Sequence, residues 1–220
     1  RFRALHQKPT PTAASKMVPE KLTFSPLSRR QIEADYLRTS DRSDSRHSWA
    51  ILALLVRFIR QYWPDTRIVL RGDSHFCRPR MLNWCDRHHV DYIVGIAKNS
   101  RLLKEVDVPM MLVRKTQWQV GGKVAETFRF PYQAHSWKYP RWVVARLEES
   151  ELGSNPRFII SSRYDDGFKL YYEQYCARGD MENRIKDQQL SLFADRTSST
   201  HWWANQWRLI LYQRLNGFLR

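Results

Sequence analysis

Apolar residues gather into short runs through the middle of the chain, and their spacing predicts alternating helices and strands. The first run starts at Ser48 and stops before Pro64, a residue that a helix interior excludes. The predicted elements are a helix over about 48–62, a buried strand at 68–70, a helix from Pro79 to about His88, a second buried strand over 90–98 and a short helix near 100–106. This order is typical of an α/β fold with parallel strands.

The pattern changes between Pro109 and Tyr164, where alternating apolar residues are separated by Gly, Pro and Ser turns. Strands are predicted within 123–134, 141–150 and 156–164. We interpret 108–164 as a mostly antiparallel β insertion, and 46–107 with 165–220 as the α/β core around it. Residues 1–45 are rich in Pro, Ser and Lys with little periodicity, which predicts a poorly ordered lead-in.

A helical stripe is predicted in the segment 171–196. With 3.6 residues per turn, one face carries Tyr175, Arg178, Glu182, Lys186 and Gln189. One interpretation is a solvated amphipathic helix with an i,i+4 Glu–Lys pair. The other is a carboxylate that binds a metal while its basic neighbours hold phosphates. Gly179 weakens a continuous helix, so a shorter helix capped by Asp180 stays open.

The charge balance favours a polyanionic partner. Lys and Arg number 37 against 22 Asp and Glu, which gives a net charge of +15, and nucleic acid is the commonest polyanion. The three cysteines have no CxxC pairing, which favours a reducing compartment. No run is long and apolar enough to span a bilayer, so no membrane partner is expected.

Two carboxylates are the candidates for chemistry. Asp73 stands at the end of a predicted parallel strand, where ligands collect in open α/β sheets. Together with Glu182 it would make a Mg²⁺ or Mn²⁺ site, since hard divalent ions take oxygen ligands. The alternative for Asp73 is a cap or turn former. A zinc site at His75, Cys77, Cys85, His88 and His89 is disfavoured, because the spacing is not that of a standard finger.

Two stretches carry a resemblance: IVLRGDSHFCRPRMLNWCDRHHVDYIVGIAKN, and much later YCARGDMENRIKDQQLSLFADRTSSTHWWANQWRL. Over about 49–211 the chain resembles the catalytic core of bacterial insertion-sequence DDE transposases, nearest to the group with a Tyr-Arg-Glu-Lys signature. Tyr175, Arg178 and Glu182 match that signature in identity and spacing. The resemblance implies a ribonuclease-H-like core with a β insertion before the Glu-bearing helix. It also implies cytoplasmic, nucleoid-associated transposition on transposon ends and target DNA, with a homodimer as a candidate assembly.

The resemblance further implies a division of roles. Asp73 and Glu182 are the expected catalytic metal ligands, holding Mg²⁺ or Mn²⁺, with two ions in the intact enzyme. The expected contacts to DNA are Tyr175, Arg178, Asn183, Lys186, Arg71 and Lys98. The implied reaction is hydrolysis of a DNA strand, followed by attack of the freed 3′-hydroxyl on target DNA.

The chain departs from the family pattern at three points. Gln189 stands at the signature lysine, with Lys186 one turn earlier, and His75 stands where a glycine is usual. The first acidic ligand should lie on a strand ahead of the Ser48 helix, and Asp35, Asp41 and Asp44 occur there only in charged contexts that do not predict strands. An N-terminally truncated transposase is therefore expected. The alternatives are an inactive basic DNA-binding remnant and a metal-dependent nuclease of the same fold.

Overall fold

One mixed sheet organises the computed structural model, which describes residues 17–26, 32–39, 48–176, 199, 201, 203–208 and 210–211, the first two ranges as backbone only. The strands are β1 Met17–Pro26, β2 Ile32–Thr39, β3 Ile68–Gly72, β4 Asp91–Ile96, β5 Val124–Tyr132, β6 Arg141–Ser150, β7 Gly153–Ser154 and β8 Arg157–Ser161. The helices are α1 Ser48–Tyr62, α2 Pro79–Arg87, α3 Ser100–Glu105 and α4 Asp107–Val120, followed by a π-helix, Lys169–Tyr175. Residues 203–208 and 210–211 are also helical.

The strand order is β2-β1-β3-β4-β8-β6-β5, with β7 paired to β6. Only β3 and β4 run parallel among the described pairs, as predicted for the strands on either side of α2. The pairs β4–β8, β8–β6 and β6–β5 are antiparallel. The predicted β block is therefore antiparallel, and it extends the same sheet through the β4–β8 pair.

The two faces of the sheet are covered differently. Alternate residues such as Leu70, Val94 and Ile160 belong to a large core together with α1, α2 and α4. On the opposite face, Val69, Ile93, Val144 and Ile159 pack beneath Leu170 and Tyr171 of the π-helix. Helices thus cover one face broadly, whereas the π-helix covers the centre of the other.

The lead-in prediction for 1–45 needs correction, because β1 and β2 form an antiparallel pair within it. Apolar and polar residues alternate over 21–25 and 32–36, a signal that the proline-rich composition obscures. Pro19 is compatible with β1 because β1 pairs with β3 only over Thr23–Pro26. Among the described strands, Pro19 therefore lies where β1 pairs with β2 alone, and a missing N–H is tolerated at such an edge.

The boundary of the β block also needs correction. Residues predicted to begin the β insertion form α4, which ends at Gly121, a residue with φ of 70°. Met110 and Val113 of this helix are buried against the sheet. Its outer side is also apolar, with Val108, Met111 and Trp118 exposed, so the helical period is weak in the sequence.

Candidate active site

Asp73 follows β3 directly and caps a short 3₁₀ turn, Ser74–Phe76. Its Oδ1 accepts a hydrogen bond from the His75 backbone N–H at 2.9 Å, and His75 Nδ1 lies 3.2 Å from the same oxygen. The Asp73 side chain is 40% exposed. The turn therefore fixes a partly exposed carboxylate at the carboxyl end of a parallel strand.

A cavity of about 280 Å³ opens beside this carboxylate. Its lining residues are Asp73, Ser74, Gly95, Ile96, Ala97, Lys98, Arg157, Phe158, Tyr171 and Tyr175. Within the described part of the chain, this lining holds one carboxylate and two cations, Lys98 and Arg157. A phosphate bound in this cavity would meet the positive charge of both.

Tyr175, predicted to contact DNA, reaches the same cavity. Its hydroxyl lies so close to Gly95 that a Cβ at that position would stand 2.7 Å from the oxygen and 3.2 Å from the Ser74 backbone nitrogen. Only a residue without a side chain leaves this space. Gly95 therefore allows the phenol to lie against the ends of β3 and β4, beside Asp73.

Two arginines donate hydrogen bonds to Gln174, the residue before Tyr175. Arg71 donates from NH1 to the Gln174 carbonyl oxygen at 3.0 Å, and Arg163 donates to the Gln174 side-chain oxygen at 2.9 Å. Arg163 also pairs with Asp165 at 2.5 Å. Arg71 thus fastens the end of the π-helix to β3, and its predicted contact with DNA stays a prediction.

Lys98, another predicted DNA contact, is held by the β block. Its Nζ donates to Asn155 Oδ1 at 3.2 Å, and Asn155 Nδ2 donates to Glu148 Oε1 at 3.3 Å. Glu148 is itself bound by Lys123 at 2.7 Å and by Arg146. Arg146 also donates to the Tyr172 hydroxyl at 2.8 Å. The Glu148 carboxylate therefore links Lys98 to Tyr172 of the π-helix, through Asn155 on one side and Arg146 on the other.

The charge of Glu148 is strongly favoured. The hydrogen bond from Lys123 lowers the pKa of its carboxyl to about 2, with burial opposing this and bonds from Arg146 and Asn155 adding to it. Glu148 is therefore ionised at neutral pH and acts as a fixed acceptor for both its cations. Burial raises the pKa of Tyr171, so this phenol beside the cavity remains neutral.

Asp73 fits the role of a metal ligand, since it offers a partly exposed carboxylate at a strand end, beside a cavity lined by two cations. Its predicted partner Glu182 lies outside the described residues, as do Arg178, Asn183 and Lys186. Within the described side chains, no group of three or more His, Cys, Asp or Glu could hold a metal. The structure thus describes the surroundings of one residue of the predicted pair, and its role as a metal ligand stays a prediction.

Asp35 was predicted not to lie in a strand, and the structure corrects this. It lies in β2, opposite Lys21 of β1. Because β1 separates β2 from β3, the backbone at Asp35 stands about 9–10 Å from β3 at the usual strand spacing. Asp41 and Asp44 lie outside the described residues.

The cysteines and histidines near Asp73 do not gather into a zinc site within the described structure. Burial raises the pKa of the Cys85 thiol to about 12 and that of Cys77 to about 11. Trp84 stacks on His88 with ring centroids 4.4 Å apart. Cys85 is therefore a packing residue of α2, and the exposed His88 stacks on Trp84 just after the helix ends.

Sequence reasoning missed several residues of this site, namely Gly95, Arg157, Asn155 and Glu148. Arg157 begins a strand whose place beside the site follows from the pairing of β8 with β4. Asn155 meets Lys98 across 57 positions of sequence. A pattern along the chain holds no signal for such a pairing. Only the apolar run after Arg157 pointed to a strand there.

Taken together, the mixed sheet and the basic cavity at a strand-end aspartate define a class: an α/β protein with a candidate site for phosphate-bearing, metal-assisted chemistry. The model of the family described as transposase DDE domain group 1 matches residues 22–214. The chain belongs to this family, whose domains generally use divalent metal ions. No curated protein and no solved structure gives a significant match.

No helix in the described residues is both long enough and apolar enough to cross a membrane.

Proposed function

We propose that this chain cuts and joins DNA strands as a DDE transposase of the Tyr-Arg-Glu-Lys group, with its reaction centre at the cavity beside Asp73. The observation that carries the proposal is the joining of Asp73, Lys98, Arg157 and Tyr175 around one cavity. The family match supports transposition. The net charge of +15 suits a DNA partner.

Asp73 and Glu182 would hold Mg²⁺ or Mn²⁺, which when bound supplies Lewis-acid stabilisation of the attacking and leaving oxygens in phosphoryl transfer. The chain's own residues do the positioning. Lys98 and Arg157 hold the backbone phosphates that flank the scissile one. The Tyr175 hydroxyl orients the strand, while Arg178, Asn183 and Lys186 extend the contact along the next segment.

The proposed order of events is cleavage of one DNA strand, then attack by its 3′-hydroxyl on a target strand. A bound strand must therefore keep its 3′ end within reach of Asp73 between the two steps. The tie from Arg71 to Gln174 and the link through Asn155 and Glu148 keep the two walls of the cavity in place. Preorganised walls reduce the entropy lost when the strand is positioned.

The test is Mn²⁺-dependent nicking of supercoiled DNA by Asp73→Asn, with Asp65→Asn as the matched control. Asp65 is exposed and does not line the cavity beside Asp73. We expect nicking to fall by at least about 100-fold in Asp73→Asn, with DNA affinity retained and the control unchanged. Equal nicking by both variants would refute the role of Asp73.

The inactive DNA-binding remnant is the second candidate function. It is favoured by the place of Asp35, which lies on β2 with β1 between it and the strand that leads to Asp73. Salt-dependent DNA binding by the unaltered chain without Mn²⁺-dependent nicking would establish it. Nicking without joining of a 3′ end to a target plasmid would instead indicate the nuclease.

A further inference from the structure

A second cavity adjoins the first and is not used by the reaction described above. It measures about 440 Å³ and shares Ser74, Ile96, Ala97 and Lys98 with the cavity beside Asp73. The segment that follows β4 is therefore a wall common to both cavities. A DNA strand bound in the first cavity would therefore contact residues that also line the second.

The lining of the second cavity combines cations with an apolar floor. Arg78 and Lys98 are the exposed cations of this lining, the His75 side chain is exposed beside them, and Trp137 adds a ring that is 6% exposed. None of the lining residues that the structure describes is a carboxylate. The cavity thus suits a ligand with one anionic end and one flat apolar body, the composition of a single nucleotide.

The turn between β5 and β6 gives this cavity a fixed shape. The Trp137 backbone N–H donates to the Ala134 carbonyl at 2.9 Å, and Gln133 donates to the Trp137 carbonyl at 3.0 Å. Tyr132 meets the Trp137 ring edge-on at 5.6 Å. The volume also falls in the usual range of small-ligand sites, roughly 300–1,000 Å³.

We infer that this cavity is a subsite for the nucleotide that neighbours the scissile phosphate on the same DNA strand. Arg78 and Lys98 bind its phosphate, and the sugar and base lie against Ala134 and Trp137. The inference rests on the proposed function and adds a specific contact to it. It assigns Lys98 to both cavities, as the cation between two consecutive phosphates.

The experiment places photoreactive 5-iodouracil at successive positions of a DNA strand bound to the full chain and maps the crosslinks by mass spectrometry. We expect one position to crosslink within residues 131–141, the segment that holds Trp137. Crosslinks confined to other segments would overturn the subsite. This readout does not depend on strand cleavage, so it separates the subsite from the proposed reaction.

Two variants test the same contact by affinity, each with a matched control. Ser136→Trp fills the cavity from an exposed position, and we expect DNA affinity to fall roughly tenfold. His135→Trp, in the same turn but outside the lining, should leave affinity unchanged. Arg78→Ala should lower the number of counterions released on DNA binding, read from the salt dependence of the affinity, by about one. Arg57→Ala on α1 should leave that number unchanged.

The outcomes distinguish the two proposals. If the unaltered chain binds and nicks DNA but Ser136→Trp and His135→Trp behave alike, the subsite is wrong and the proposed function stands. If the unaltered chain binds no DNA, both fail. If it binds without nicking and the crosslink still maps to 131–141, the subsite stands without the reaction.

Discussion

Replacing Gly95 by alanine tests the placement of Tyr175 at the cavity. The new methyl carbon would stand 2.7 Å from the Tyr175 hydroxyl oxygen, whereas ordinary contact begins at 3.4 Å. The hydroxyl must therefore retreat by about 0.7 Å, the difference of those two distances. The Ser74 backbone nitrogen, at 3.2 Å from the same methyl, restricts relief on the other side.

Overpacking of this kind costs roughly 1–3 kcal/mol of the free energy of unfolding. Tyr175→Phe removes the oxygen and with it the closest contact of the new methyl. In a double-mutant cycle followed by urea unfolding, Gly95→Ala should therefore cost at least about 1 kcal/mol less in the phenylalanine background than in the tyrosine background. DNA affinity, measured on the same four proteins, should fall when the hydroxyl is displaced or removed.

Gly72→Ala is the matched control for this cycle. Its methyl would stand 2.7 Å from Phe76 and meets no atom of Tyr175 among its nearest neighbours. Its cost should be the same in both backgrounds within about 0.5 kcal/mol. If Gly95→Ala is as costly with phenylalanine as with tyrosine at position 175, the hydroxyl does not occupy the place assigned to it.

Three further predictions concern Glu148, the three cysteines and His75. The pKa of Glu148 is lowered from 4.5 to about 2, so its contribution to the free energy of unfolding is complete above pH 4.5 and is lost as the pH falls toward 2. In urea unfolding, the stability advantage of the unaltered chain over Glu148→Gln should therefore shrink between pH 4.5 and pH 2. Alkylation by iodoacetamide at pH 8 should modify exposed Cys176 first, Cys77 slowly and buried Cys85 only after unfolding. Early loss of the Cys85 thiol in peptide mapping would contradict the packing of α2. His75→Gly should tighten Mn²⁺ binding several-fold in calorimetry, since the imidazole lies 3.2 Å from the Asp73 oxygen that a metal would use; unchanged affinity would mean that the metal approaches from elsewhere.

The central elements could be predicted because their local signals agree. The helix predicted over 48–62 has the same bounds in the structure as α1. The strands β3 and β4 lie where continuous apolar runs predicted them. Helix α4 could not be predicted, because exposed Val108, Met111 and Trp118 disguise its period. The pair β1–β2 could not be predicted from composition, because the prolines around it conceal a short alternation of apolar and polar residues.

Some residues of the candidate site could likewise be predicted from the sequence, and others could not. Asp73 and Lys98 could be placed together because the carboxyl ends of two parallel strands meet at one edge of the sheet. Arg157 and Asn155 depend on the register of β8 against β4, which sets Ile159 opposite Gly95. That register is fixed by packing across the whole sheet, so no local stretch of sequence encodes it.

The β block is part of the site, and this bears on how the chain would hold DNA. Arg157 supplies one wall of the cavity beside Asp73, and Asn155 holds Lys98 on another. The turn after β5 supplies the floor of the adjoining cavity. Since both cavities share the segment after β4, a movement of the block relative to β4 would change the two together. In the proposed binding mode, the pairing of β8 with β4 would therefore couple the positioning of neighbouring phosphates to the geometry at Asp73.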